Sequence, residues 1–102
     1  MSSKLEELHR TLTSMLKEEL MQDILDNLNS YLAEEGYRIT DQYYVIALMS
    51  IYMNKERTTL YVEMVFISGL KILVMCKELP EDDSIHCIPF AYPPTSIISS
   101  AK

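Results

Sequence analysis

The sequence predicts an α+β domain in which an N-terminal amphipathic helical region, one bent helix or two, packs on a three- to four-stranded antiparallel β-meander. Three observations lead to this prediction. Apolar residues recur every three or four positions over residues 3–35, β-branched and aromatic residues dominate from Tyr43, and polar turn sequences separate the later apolar runs. The 102 residues have room for a single domain with one core.

The helical region has a start signal and a stop signal. Ser3 and Glu6 have the spacing of a capping box, and Gly36 can take the left-handed conformation that ends many helices. The apolar stripe between them does not keep a heptad, and weak helix formers cluster near its middle. We therefore expect a kink or break near residues 13–18.

Residues 43–88 are predicted to form the antiparallel sheet. The polar loop 54–57 and the turn Ser68-Gly69 separate its strands, and Pro89 should end the last strand because proline lacks a ladder donor. The first strand segment also suits a buried helix, but its β-branched residues and tyrosines favour a strand. Residues 89–102 are then an extended C-terminal tail. The predicted strands are 43–53, 58–67, 70–77 and an edge strand at 85–88.

Both faces of this predicted sheet are apolar, whereas a small sheet with one solvated face normally alternates apolar and polar residues. Pairing the strands around the two turns places Met49, Met64, Leu73 and Met75 on one face. The helical region can cover only one face, so the other is predicted to bind a partner. The predicted partner-binding residues are Tyr44, Tyr61, Glu63, Val65, Ile67, Ile72 and Val74.

These features predict a small non-enzymatic protein–protein interaction module that forms a homodimer or holds a protein or peptide partner. The acidic chain and the helix-then-meander order over about residues 3–79 resemble small secretion chaperones in architecture, without a shared motif. The resemblance implies a dimer that holds extended segments of its clients. The helix-containing second half of those chaperones has no counterpart here. An accessory protein of a virus or mobile element that acts by contact would show the same features.

The alternative is a small-molecule-binding protein or enzyme with a site between helix and sheet. Its polar candidates are Ser50, Glu63, His86 and Cys87, and no spacing unites them. His86 and Cys87 adjoin, but neighbours on a strand point to opposite faces. Cys76 and Cys87 lack further ligands at zinc spacing, so no metal or other cofactor is predicted.

Charge and hydropathy argue against nucleic acid and membrane partners. The net charge is −6 and the pI about 4.8, whereas phosphate binding needs clustered Lys and Arg. The uncharged run 42–54 is too short for a spanning helix, and prolines interrupt the run 84–101. The N-terminal residues do not have the pattern of a signal peptide. These features, together with the expectation that both cysteines are reduced thiols, predict a cytoplasmic protein.

Overall fold

The computed structural model describes residues 3–40, 46–81, 83–92 and 98–100. Two helices pack on one face of a four-stranded antiparallel sheet, which confirms the predicted α+β class. The helices are α1 (Lys4–Lys17) and α2 (Met21–Leu32), and a 3-10 turn (Ala33–Glu35) follows α2. The strands are β1 (Tyr37–Ile39), β2 (Ile46–Met53), β3 (Thr59–Phe66), β4 (Lys71–Leu79), β5 (Ser84–Tyr92) and β6 (Ile98–Ser100).

The helical region consists of two helices, one of the two predicted forms. The Ser3 hydroxyl accepts a hydrogen bond of 3.1 Å from the Glu6 amide, so the predicted N-cap is present. The break lies at residues 18–20, slightly later than predicted, and Glu19 there has a φ of 59°. Gly36 follows the 3-10 turn with a φ of 88°, a conformation that its missing Cβ permits.

The four-stranded sheet has the order β2-β3-β4-β5, as expected for a meander. Segment 46–53 is a strand, the interpretation favoured over a helix, and residues 43–45 lie outside the described residues. In the β2–β3 loop the Asn54 side-chain oxygen accepts hydrogen bonds of 2.8 Å from two amides that lead into β3. Met49 then pairs with Met64, and the two share a face as predicted.

The register predicted for β4 is wrong by one residue. Three residues, 67–69, separate β3 from Leu70, and Gly69 has the left-handed φ of 93° that is common at the end of a three-residue hairpin loop. Met64 therefore pairs with Ile72 and not with Leu73.

This shift exchanges the two sides of β4, because side chains alternate along a strand. Ile72, Val74 and Cys76 are fully buried on the helix side. Leu73 and Met75, which were predicted to lie on the side of Met64, face away from the helices. The helix-covered face gains the β-branched residues of β4.

β5 continues past Pro89, contrary to the prediction that this proline ends the edge strand. Pro89 lies opposite Val74 of β4, and residues 89–92 belong to the strand rather than to a tail. The neighbouring pair Cys76 and Cys87 is only 4.1 Å apart at Cα, the close spacing of a non-hydrogen-bonded pair. Pairs two residues apart along antiparallel strands are of the same type, so Val74 and Pro89 also form a non-hydrogen-bonded pair. The Pro89 nitrogen therefore points to the outer edge, where no ladder hydrogen bond is lost.

A second, two-stranded sheet was not predicted. β1 follows α2 and pairs antiparallel with β6, which places Ile39 opposite Ile98. Asn29 of α2 holds β1 in place: its side chain accepts from the Ile39 amide at 2.8 Å and donates to the Ile39 carbonyl at 3.1 Å. Residues 98–100 of the predicted tail thus form a strand, and residues 93–97 and 101–102 lie outside the described residues.

The core lies between the two helices and one side of the four-stranded sheet. Leu12, Ile24, Leu28 and Leu32 of the helices are fully buried, as the leucine spacing predicted. They pack against fully buried strand residues, which are Leu60, Val62, Met64, Ile72, Val74, Cys76 and Cys87. The apolar stripe of the two helices therefore packs against this one side of the sheet.

Cys76 and Cys87 form a disulfide between β4 and β5, which corrects the prediction that both are reduced thiols. The two residues are directly opposite each other and fully buried. Their spacing in the sequence did not indicate the pairing because the hairpin register decides which residues meet. Disulfides persist mainly in oxidising compartments, so the cysteines no longer support a reducing one.

We expect removal of this disulfide to destabilise the fold markedly. The two cysteines are 11 residues apart in sequence. Closing a loop of this size lowers the conformational entropy of the unfolded chain, which stabilises the folded state by roughly 3 kcal/mol. The double variant Cys76→Ala, Cys87→Ala should therefore lower the free energy of unfolding by about 3 kcal/mol in urea denaturation, with added loss from packing. Reductant should destabilise the wild type and leave the double variant unchanged; equal stability of the two proteins would contradict the prediction.

Candidate functional site

The main candidate site is the side of the sheet that faces away from the helices, here called the open face. It is formed by Leu48, Ser50, Tyr52, Tyr61, Glu63, Val65, Lys71, Leu73, Met75, Lys77, Leu79, Ser84, His86, Ile88, Phe90 and Tyr92. Several large apolar side chains on it are exposed, with 59% of Leu48 and 50% of Phe90 accessible to solvent. A solvated sheet face is normally polar, so this face is unusually apolar.

The residues predicted to bind a partner fall into different environments. Tyr61, Glu63 and Val65 lie on the open face, Ile72 and Val74 are buried under the helices, Ile67 is exposed in the β3–β4 turn, and Tyr44 lies outside the described residues. A partner role for the open-face residues stays a prediction. Ile72 and Val74 are core side chains. Leu73 and Met75 lie on the open face instead, at the surface positions that had been predicted for Ile72 and Val74.

Two tyrosines form an aromatic pair on the open face. Tyr52 and Tyr61 lie opposite each other on β2 and β3, with ring centroids 5.2 Å apart and planes inclined by 19°. Partial burial raises the pKa of the Tyr52 phenol, and the Glu63 carboxylate and Tyr61 raise it further. The Tyr52 phenol is therefore neutral at physiological pH. The two stacked rings offer a wide contact area with polar ends.

Glu63 makes an ion pair and not a buried polar contact. Its carboxylate lies 3.7 Å from the Lys71 ammonium, and the two side chains are 28% and 51% exposed. An exposed pair of this kind contributes little to stability. It leaves Glu63 at a solvated surface, which is the environment expected of an interaction surface and not of an enclosed site.

A cavity of about 480 Å³ lies at one end of the open face, beside the β4–β5 hairpin. Its walls are mainly apolar, and Glu35 reaches it from the 3-10 turn after α2. The lining residues are Glu35, Met75, Lys77, Leu79, His86 and Ile88. Ligand sites commonly combine such apolar walls with a few polar groups.

Three polar side chains beside the cavity form a hydrogen-bonded chain. His86 Nδ1 lies 2.5 Å from the Glu35 carboxylate, and His86 Nε2 lies 2.7 Å from the Ser84 hydroxyl. Ser84 and His86 share a side of β5, and Glu35 approaches from the end of the helical region. The chain is partly buried, with 29% of the His86 side chain and 33% of the Glu35 side chain exposed.

This hydrogen-bonded chain of side chains was not predicted from the sequence. The sequence suggested Cys87 as a possible catalytic partner of His86, but the structure places these neighbours on opposite faces, with Cys87 in the buried disulfide. Ser84 and His86 are two residues apart on one strand, a spacing that puts both on the same side and could have been noticed. Glu35 is 51 residues from His86, and no local signal pairs them.

Among the described residues, no group of three or more His, Cys, Asp or Glu side chains could hold a metal ion. Within the same part of the chain, no helix is both long and apolar enough to cross a membrane. Comparison of the sequence and structure with protein-family models, curated proteins and solved structures found no match.

Proposed function

We propose that the protein is an interaction module that self-associates, and that two copies meet through their open faces. The observation that supports the proposal is the exposure of Leu48, Tyr52, Ile88, Phe90 and Tyr92 on one side of one sheet. Residues 3–40, 46–81, 83–92 and 98–100 supply no element that shields these side chains. Contiguous apolar surface of this kind drives association.

The open face has the dimensions of a stable interface. Four strands about 4.8 Å apart and residues spaced about 3.3 Å along strands of eight or nine residues give a plane of roughly 20 by 30 Å. Side chains standing on that plane make its accessible area larger. A standard interface buries about 800 Å² on each partner, so the open face can supply most of one.

The charges on the open face allow a self-complementary contact. Lys71 and Lys77 are exposed, and Glu63 lies among the apolar side chains, so both signs are present. In a two-fold dimer every contact between two different residues occurs twice, once in each direction, so Glu63 of each copy can approach a lysine of the other. The net charge of −6 opposes association, but salt screens charges more than about 8 Å apart.

Light scattering tests the proposal directly. We expect a mass of twice 11.8 kDa for the full chain at micromolar concentrations. Monomer at about 1 mM, a concentration that detects even very weak dimers, would overturn self-association. A monomer that captures a hydrophobic extended peptide would instead support a chaperone-like role and still refute the dimer.

A cytoplasmic location stays a prediction. The disulfide between β4 and β5 is a physical argument against it, since cytosolic thiols are normally kept reduced. Mass spectrometry of the protein from its native source, alkylated before reduction, would show which state Cys76 and Cys87 have in the cell.

A further inference from the structure

We infer that the hydrogen-bonded chain of Ser84, His86 and Glu35 is a nucleophilic site that cleaves small carboxylic esters. It is an activity of the monomer, because the open face that carries Ser84 and His86 is covered in the proposed dimer. Ser84 is the nucleophile, His86 the general base and Glu35 the carboxylate that orients the imidazole. The inference rests on three features found together. These are a hydroxyl 2.7 Å from a histidine nitrogen, a carboxylate on the other nitrogen, and an adjoining apolar cavity.

The hydrogen bonds favour the ring tautomer that the chemistry requires. An ionised carboxylate can only accept hydrogen bonds, so Glu35 favours a proton on His86 Nδ1. In the neutral imidazole Nε2 then carries the lone pair and accepts the Ser84 hydroxyl proton. Glu35 also stabilises the imidazolium that forms when His86 takes this proton, as in serine hydrolases on unrelated folds.

The cavity indicates the class of substrate. Met75, Leu79 and Ile88 give it apolar walls, which suit a short alkyl acyl group. Lys77 lies directly opposite His86 on β4 and lines the same cavity. Its ammonium group is the cation available to balance negative charge on the carbonyl oxygen during attack.

The reaction consumes one ester and one water. Ser84 Oγ attacks the carbonyl carbon while its proton passes to His86 Nε2, and the tetrahedral adduct collapses as the alcohol leaves with that proton. Water then attacks the acyl-Ser84 ester, giving its proton to His86. Collapse of the second adduct returns a proton to Ser84 and releases the carboxylic acid.

Hydrolysis of p-nitrophenyl acetate and butyrate by the full chain, at concentrations where light scattering shows a monomer, tests the inference. We expect wild-type release of nitrophenol above buffer, and a loss of at least about 100-fold in kcat/KM for Ser84→Ala and for His86→Ala. The matched controls are Ser14→Ala, an exposed serine of α1, and His9→Ala, the other histidine of the sequence. Both controls should keep the wild-type rate.

A covalent readout keeps the test independent of turnover. Incubation with p-nitrophenyl acetate should add one acetyl group to Ser84→Cys, because a thioester forms readily, and peptide mapping should place it at position 84. No hydrolysis above buffer by a folded wild type, or unchanged hydrolysis by Ser84→Ala, refutes the inference. Acetylation that maps only to lysines refutes it as well.

Glu35 acts through His86, so it is a positioning residue. Glu35→Gln should lower kcat about tenfold or more with KM unchanged, since the cavity walls remain while the imidazolium loses its counter-charge. Glu35→Asp should restore part of the rate. Glu35 and Lys77 are charged residues that line the cavity together with His86. Equal rates for Glu35→Gln and the wild type would remove Glu35 from the site.

Discussion

Replacing Leu73 by Asp is expected to convert the proposed dimer into a folded monomer. Leu73 lies near the middle of the open face, opposite Glu63 on β3 and Phe90 on β5. A carboxylate there would be desolvated in the contact and would repel Glu63 of the same face. Truncating one central anchor often costs 2 kcal/mol or more, and a buried unpaired charge costs more still. We therefore expect the dissociation constant to rise at least 100-fold.

Sedimentation or light scattering over a concentration series measures this change, and circular dichroism reports whether the variant is folded. The control is Thr11→Asp, which adds the same charge at an exposed position of α1. Because Thr and Asp have similar helix propensities, the control should keep both fold and dimer. A Leu73→Asp protein that dimerises like the wild type would exclude the open face as the interface.

Replacing the next residue, Val74, by Asp is expected to unfold the protein. Val74 is fully buried between the sheet and the helices, and the described core around it offers no counter-charge. The substitution both buries a carboxylate and removes apolar contacts. Effects of this kind exceed about 4 kcal/mol, a large fraction of the stability of a domain of this size.

The two substitutions form a matched pair that differs by one position on one strand. Thermal and urea denaturation should show a cooperative transition for Leu73→Asp and little or no folded protein for Val74→Asp. The reverse result would mean that β4 has the register predicted from the sequence, with Leu73 in the core. The pair therefore tests the hairpin register and the interface together.

The periodic parts of the fold were predictable from the sequence, and the register of β4 was not. Leucines spaced by three or four residues identified the helices because one face of each helix must be buried. Met49 and Met64 were also assigned correctly to one face of β2 and β3. Met53 pairs with Leu60 and not with residue 58, and a shift of two residues leaves the faces unchanged. The Ser68-Gly69 turn was misjudged by one residue. A local sequence does not say whether a hairpin has two or three loop residues when both forms can use glycine.

The apolar character of the second face survived this error because β4 is apolar on both sides. Its helix side carries Ile72 and Val74, and its open side carries Leu73 and Met75. Exchanging the two sides of β4 therefore changed which of its residues form the surface, but that surface remains apolar. The cavity and the contact between Glu35 and His86 could not be anticipated, because Glu35 reaches them only through tertiary packing at the end of the helical region.

Pro89 has a consequence for how copies of this protein can aggregate. The edge of a β-sheet presents a regular row of amide donors, the template on which strands of other molecules add to form fibrils. The Pro89 nitrogen points to the outer edge of β5 and has no hydrogen to donate, so a docking strand would meet a gap in the middle of its ladder. Growth of an intermolecular sheet from the outer edge of β5 is thereby disfavoured.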